Sequence, residues 1–218
     1  AVGAGERLNE HVTGSGFPAV DVRHEMLEEA IDIIRTLWTG DWTTVRGRYL
    51  SVEDARLFDL PEQPPQLAVA VSGPGSLDLA ARAGADAVVA TQPRPELVSG
   101  WTARGGEAKG TWTEVPFAWA PSVAEGRELA RARFRFGAGG WKVMSELPNP
   151  VNFDAATSNV RPDDLVDSVP SGPDPEPYAR VVRAYQDAGF ERIAIVPVDD
   201  DLDVLLEFWE REVLVLVV

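Results

Sequence analysis

A carboxylate and an amide, Glu6 and Asn9, stand three positions apart directly behind the small residues Gly3, Ala4 and Gly5. A carboxylate can hold or release a proton and an amide can both donate and accept hydrogen bonds, so the pair suits a site where a reacting atom changes its protonation state. Val2 to Gly5 reads as the end of a strand. Glu6 and Asn9 then emerge at its outlet, where Ala4 and Gly5 let a ligand come close to the backbone. The same two residues would equally serve as caps of the following turn, and spacing alone does not separate these readings. Leu8 replaces the third glycine of a dinucleotide fingerprint, which argues against that motif.

A second candidate is Ser72-Gly-Pro-Gly-Ser76, set between the apolar run Leu67 to Val71 and a helical stretch. Backbone N–H groups at a helix N-terminus can cradle an anion, so Ser72 and Gly73 could hold a phosphate-bearing cofactor. An ordinary Pro/Gly turn has the same composition. Only two histidines exist, His11 and His24, and there is no cysteine. Thiolate metal sites, disulfides and cysteine nucleophiles are thereby excluded, and a serine triad or histidine-rich metal site has little to draw on. The acidic run from Asp199 to Asp203 reads as a solvated helix start rather than a metal site. Of the seven tryptophans, Trp141 lies in a stretch without clean periodicity, where it could wall a substrate pocket.

The elements that must position these residues alternate. Val22, Met26, Leu27, Ala30, Ile33, Ile34 and Leu37 recur at helical steps and predict a helix that ends near Gly40. A hairpin is predicted over about 41–60. Leu67 to Val71, a helix from Leu77 to Ala83 and a strand from Asp86 to Ala90 make a βαβ unit whose apolar runs suit a parallel sheet covered by helices. Further strands are expected at Glu114 to Ala120 and Arg192 to Pro197. Helices are expected at Val123 to Phe134, Pro175 to Ala188 and Leu202 to Val213. Gly137 to Pro170 is read as a long βα excursion of the kind that elaborates a pocket. About five strands are visible against the eight of a closed barrel, and Ala1 opens straight into a strand end. The expected architecture is therefore one α/β domain over 1–218, a (β/α)8 barrel whose N-terminal strands lie upstream.

The bulk numbers narrow the partners. At 218 residues with 44% hydrophobic residues, the chain can bury a core. A formal net charge of −15 disfavours nucleic acid. The longest apolar stretch, Val213 to Val218, is far shorter than the roughly 20 residues of a membrane span, so a membrane partner is not expected and the cytoplasm is the default setting.

The block Gly3-Ala-Gly-Glu-Arg-Leu-Asn-Glu10, followed by Phe17-Pro18, Gly47-Arg-Tyr49, Ser72-Gly-Pro74, Ala83-Gly-Ala-Asp86 and Ser171-Gly-Pro-Asp-Pro175, resembles the luciferase-like family. The likeness is to its F420-dependent glucose-6-phosphate dehydrogenase-like branch and covers nearly the whole chain. It implies a TIM barrel, a deazaflavin cofactor (coenzyme F420), hydride transfer to or from a small organic substrate, and a homodimer. By position, Glu6 matches the acidic group at the deazaflavin ring, and Asn9, Ser72 and Gly73 match cofactor contacts, with Ala4 and Gly5 beside them. Thr91 and Arg94 match substrate contacts, Arg94 standing where the sugar-phosphate enzymes have a lysine. Two other basic phosphate ligands of those enzymes fall here near Asp154 and Ser168, so a substrate other than glucose 6-phosphate is implied. The catalytic histidine of the family lies upstream of Ala1. Two alternatives accompany this reading: an FMN-dependent monooxygenase of the same superfamily, and a non-catalytic fragment that only folds or associates.

Overall fold

The computed structural model describes residues 1–198 and 201–218. In chain order its elements are α1 (Arg7–Glu10), α2 (Val20–Leu37), β1 (Thr43–Arg46), β2 (Ser51–Ala55), β3 (Ala68–Ala70), α3 (Pro74–Arg82), β4 (Ala87–Val89), α4 (Pro95–Trp101) and β5 (Gly110–Phe117). They continue with α5 (Val123–Phe134), the short helices α6 (Trp141–Met144) and α7 (Pro150–Ala156), then α8 (Glu176–Asp187), β6 (Arg192–Pro197), α9 (Leu202–Phe208) and α10 (Leu214–Val217). Two compact units result, the first made of residues 1–5, 17–90 and 96–111, the second of 6–16, 91–95 and 112–218.

In the first unit the expected βαβ arrangement is present. β3 and β4 pair in parallel, Ala68 opposite Ala87 and Ala70 opposite Val89. Val2 bridges Val69 in parallel on the other edge of β3. The start of this pairing is locked by Asp86, whose carboxylate accepts the Leu67 N–H at 2.8 Å while its own N–H donates to the Leu67 carbonyl. Leu27, Ile31 and Ile33 on α2 are buried, as are Leu77 and Leu79 on α3. Each such side chain contributes about 1.5–3 kcal/mol on leaving water. α3 ends at Gly84, whose φ of +63° suits glycine, and Arg35 of α2 donates to the Ala83 and Gly84 carbonyls left over at that end. The hairpin β1–β2 forms as predicted and is docked on α2 by Glu29, which accepts the Tyr49 and Leu50 N–H groups.

In the second unit β5 and β6 run parallel, Trp112 opposite Arg192 through Phe117 opposite Pro197. Phe117 is fully buried, edge-on to Tyr178 at 4.8 Å between ring centres, and Tyr178 stands in turn against Phe208. The Tyr178 hydroxyl donates toward the Gly172 and Ala118 carbonyls at 2.7 and 3.2 Å, tying the end of the excursion to the end of β5. A second cluster, Ala118, Ala130, Leu165, Val169 and Val198, seals α5 over it.

Several expectations are corrected. The stretch Gly137 to Pro170, read as a long excursion without a clean period, contains α6 and α7 and a 3-10 turn at Pro162–Leu165. The cause is local capping: the Asn149 side chain accepts the Asn152 N–H ahead of Pro150, and Asp164 reaches back to the Arg161 N–H. Helices of four to seven residues are too short to show a period. The strand expected at Glu114 to Ala120 lies earlier, at Gly110–Phe117, and α4 was not foreseen. Asp199 and Asp200 of the acidic run fall outside the described residues, whereas Asp201 caps α9 by accepting the Val204 N–H. Among the described residues there is no cluster of three metal-ligating side chains and no helix long and apolar enough to cross a membrane.

Candidate functional site

Two places carry the candidate residues, one in each unit. In the first unit, Val2 forms an isolated parallel bridge to β3, its N–H donating to the Ala68 carbonyl at 2.9 Å and its carbonyl accepting the Ala70 N–H at 2.8 Å. Parallel pairing places their C-terminal outlets at one end of the sheet. Gly3, Ala4 and Gly5 leave one outlet; Ser72 and Gly73 leave the next. A side-chain carbon added to Gly73 would meet nothing within 4 Å, so its backbone faces open space that a flat ring or phosphate can approach. Gly3 is packed against Ala70, where a side chain would crowd at 3.3 Å. Ala4 and Gly5 are half-buried, and Gly5 takes a φ of +79°. Arg23 fixes this outlet by donating to the Ala4 carbonyl at 3.0 Å and the Pro18 carbonyl at 2.7 Å, with its guanidinium stacked 3.9 Å from the centre of Phe17.

The turn after β3 is more self-contained than the sequence suggested. The Ser72 and Gly73 N–H groups, expected to be open to an anion, both donate to Ser76 Oγ at 3.0 and 3.2 Å, and that hydroxyl donates to the Gly73 carbonyl. The reason is the serine two positions into α3, which caps the turn with its own side chain. Pro74 has no N–H and the Leu77 N–H donates to the Gly73 carbonyl, so the first turn of α3 leaves a ligand the Gly75 and Ser76 N–H groups.

The second place is around Glu6. Its carbonyl accepts the Asn9 and Glu10 N–H groups that start α1, while its half-buried carboxylate makes no capping bond to that helix. The α1 segment is held by the Arg7 N–H, which donates to the Ser145 carbonyl at the end of α6. Behind Glu6 opens a cavity of about 380 Å³, within the size range of small-molecule sites. Leu8, Phe136, Met144 and Phe153 give it apolar walls, and Arg133, Arg135 and Asp154 join Glu6 as its charged groups. Arg135 donates to the Asp154 carboxylate at 2.5 Å and to the Thr157 hydroxyl at 3.2 Å.

Not all candidates meet there. Asn9 is exposed on α1, and Thr91 is exposed with its carbonyl accepting the Tyr185 hydroxyl at 2.8 Å. Arg94 is half-buried. Trp141 opens α6 with 48% of its surface exposed and does not line the cavity; Met144, one turn on, does. A larger hollow of about 660 Å³ in the first unit is lined by Arg35, Trp38, Pro64, Pro65 and Asp86. Its residues precede β3 and β4, at the end of the strands where barrels carry stability rather than chemistry.

Comparison with known proteins decides what this arrangement belongs to. Residues 1–196 match the family described as luciferase-like monooxygenase. The chain belongs to that family. It is 33% identical, over 98% of its length and 59% of the relative's, to an F420-dependent hydroxymycolic acid dehydrogenase of Mycobacterium tuberculosis. It is 26% identical to an F420-dependent glucose-6-phosphate dehydrogenase of Microbacterium testaceum, over 98% of this chain and 66% of that protein. The chain therefore spans about three fifths to two thirds of these relatives. A solved F420-dependent secondary alcohol dehydrogenase in complex with an F420-acetone adduct superposes with a TM-score of 0.83 at 22% identity, over all of this chain and 68% of that one. The fold is thus that of the luciferase-like α/β barrels, as expected from the alternating elements. In this family member, Arg23 and Arg135 are the residues sequence reasoning passed over. Arg23 had one signal, a cation inside an otherwise apolar helical stripe. Arg135 had none, because its partners lie 19 and 22 residues away.

Proposed function

We propose that the protein is an F420-dependent oxidoreductase, to which this chain contributes part of the cofactor cradle and a proton-handling carboxylate. The observation that carries the reading is the adjacency of two small-residue outlets, Gly3 to Gly5 after Val2 in its parallel bridge to β3 and Ser72-Gly73 after β3 itself, the second with open space above its backbone. Relatives over nearly the whole chain bear F420-dependent names. A deazaflavin, when bound, supplies the hydride donor or acceptor. Ala4, Gly5, Ser72 and Gly73 present backbone to it without side-chain obstruction, and Asn9 offers an amide to its polar edge. Glu6 holds negative charge or a proton beside the reacting atoms, while Thr91, Arg94 and Trp141 are assigned to the substrate. The substrate is a small organic alcohol or carbonyl compound.

Titration of oxidised F420 into the protein, followed by its absorbance and fluorescence, tests the cofactor. Saturable binding is expected; tight FMN retention with no affinity for F420 would overturn the assignment. Glu6→Gln is expected to lower turnover by about 10²–10⁴ while leaving F420 affinity within a few-fold. An unchanged rate would remove Glu6 from the chemistry. Under the same reading the protein is a cytoplasmic homodimer, which the exposed Leu202, Leu206 and Val215 on the C-terminal helices support as a surface for association. Sedimentation showing only monomer at micromolar concentration would end that part of the reading.

A further inference from the structure

The hollow of about 660 Å³ in the first unit takes no part in the proposed oxidoreductase site. It lies where β3 and β4 begin, whereas Ser72 and Gly73 follow the end of β3. At roughly 3.3 Å per extended residue, Gln66 and Ser72 stand up to about 20 Å apart. A molecule in this hollow is therefore clear of both small-residue outlets.

Among the described residues that line the hollow, Arg35 and Asp86 are the charged ones, one of each sign, and both are half-buried. They do not pair with each other. Arg35 donates from Nη1 and Nη2 to the Ala83 and Gly84 carbonyls, and Asp86 Oδ2 accepts the Leu67 N–H at 2.8 Å. Gly84 precedes Asp86 by two residues, so their Cα atoms are no more than about 7 Å apart. A guanidinium bonded at Gly84 and the Asp86 carboxylate thus stand within the length of one small molecule, each held in place by backbone. A guanidinium has five N–H donors and a carboxylate two oxygens, so the Arg35 Nε–H and Asp86 Oδ1 are left for a ligand. Trp38, partly exposed at the C-cap of α2, and Pro64 and Pro65 add ring surface to the wall. Proline has no N–H, so these rings offer only apolar contact.

We infer that this hollow binds a free amino acid with an aromatic side chain, as its zwitterion. Arg35 takes the α-carboxylate, Asp86 takes the α-ammonium, and Trp38 with the two prolines takes the ring. The wall carries no net charge, so a ligand with a single charge leaves one wall group without its partner. This is a second site, at the opposite end of β3 from the cradle, and it stands or falls without any cofactor.

Titrations followed by amide and indole NMR resonances test the assignment with four probes: L-phenylalanine, L-phenylalaninamide, N-acetyl-L-phenylalanine and L-alanine. L-Phenylalanine is expected to bind with a Kd on the order of 1 mM, as suits a small ligand in an open hollow. Losing the carboxylate charge in the amide, the ammonium charge in the acetyl compound or the ring in alanine is expected to weaken binding about 10-fold each. Asp86→Asn separates recognition from folding, because an amide oxygen still accepts the Leu67 N–H. In that variant L-phenylalanine should weaken to the level of N-acetyl-L-phenylalanine, whose own affinity should change by less than about 2-fold. In the parent protein L-phenylalanine should move the Gly84 amide and the Trp38 indole resonances while leaving the Gly73 amide in place. Equal affinity for L-phenylalanine and its two singly charged derivatives would overturn the proposal, as would shifts centred on Gly73 instead of Gly84. Displacement of L-phenylalanine by F420 would place it at the strand outlets and overturn the second site. Absence of saturation below about 20 mM would do the same.

Discussion

The turn after β3 and the cavity behind Glu6 both present polar groups beside a strand outlet or loop, yet they are built on opposite plans. The turn is closed over five residues, Ser72 to Ser76: Ser76 Oγ takes the Ser72 and Gly73 N–H groups and gives its proton to the Gly73 carbonyl. The cavity is assembled from afar, by Arg135 on Asp154 and Thr157, Arg127 on Asp163 and the Arg7 N–H on the Ser145 carbonyl. A local device keeps its shape when its surroundings loosen. A long-range device depends on every staple, and this difference sets the order in which substitutions should hurt.

The largest effect is expected where the excursion meets α5. A side chain on Gly126 would place its Cβ 2.4 Å from the Gly172 nitrogen and 2.9 Å from its Cα, and backbone cannot swing aside as a flexible side chain can. Gly126→Ala should cost about 3 kcal/mol or more, at the upper end of overpacking. Urea unfolding checks this. A loss under about 1 kcal/mol would show that α5 and Gly172 part easily, contrary to the long-range plan. Tyr178→Phe comes next. Removing the buried hydroxyl leaves the Gly172 carbonyl short of a donor, while the Ala118 carbonyl keeps the Gly172 N–H, and about 1–3 kcal/mol should be lost.

Ser76→Ala attacks the local device. Two N–H groups lose their acceptor, but Ser72 is exposed and water can replace Oγ there, so a smaller loss of about 1 kcal/mol is expected. The variant also frees the Ser72 and Gly73 donors. Affinity for a phosphate-bearing cofactor should therefore stay the same or rise, and a marked fall would mean that the Ser76 cap is what shapes the cradle.

The contrast also explains what the residues alone could reveal. The helix Val20–Leu37, the hairpin, the βαβ unit and β6 were all legible, because each depends on a period, a turn residue or a cap within a few positions. The self-capping by Ser76 was within range too, and was missed only because a glycine-rich turn before a helix suggests open donors. The cavity was not legible. Nothing in Arg133-Phe-Arg135-Phe136 announces that one arginine will be oriented by an aspartate 19 residues on, and Trp141, the aromatic that drew notice, is not in its wall. Short capped helices such as α7 hide in Gly-, Pro- and Asn-rich sequence because they are over before a pattern repeats.

The smallest effect expected reports on the turn without altering it. His24 of α2 lies against Gly75, its Cε1 3.6 Å from where a Gly75 side chain would begin. Burial holds its pKa below the ordinary 6.5, Asp21 opposing this and Arg23 and Arg82 adding to it. As pH falls through about 6.5 the unfolded chain takes up its proton first, so the unfolded state binds more protons and stability declines toward lower pH. The contribution is fully present above pH 6.5 and lost below it. His24→Gln should flatten the dependence of the urea midpoint on pH between about 7 and 5, as measured against the parent chain. A slope that persists unchanged in the variant would assign the pH response to other groups and detach His24 from the turn it touches.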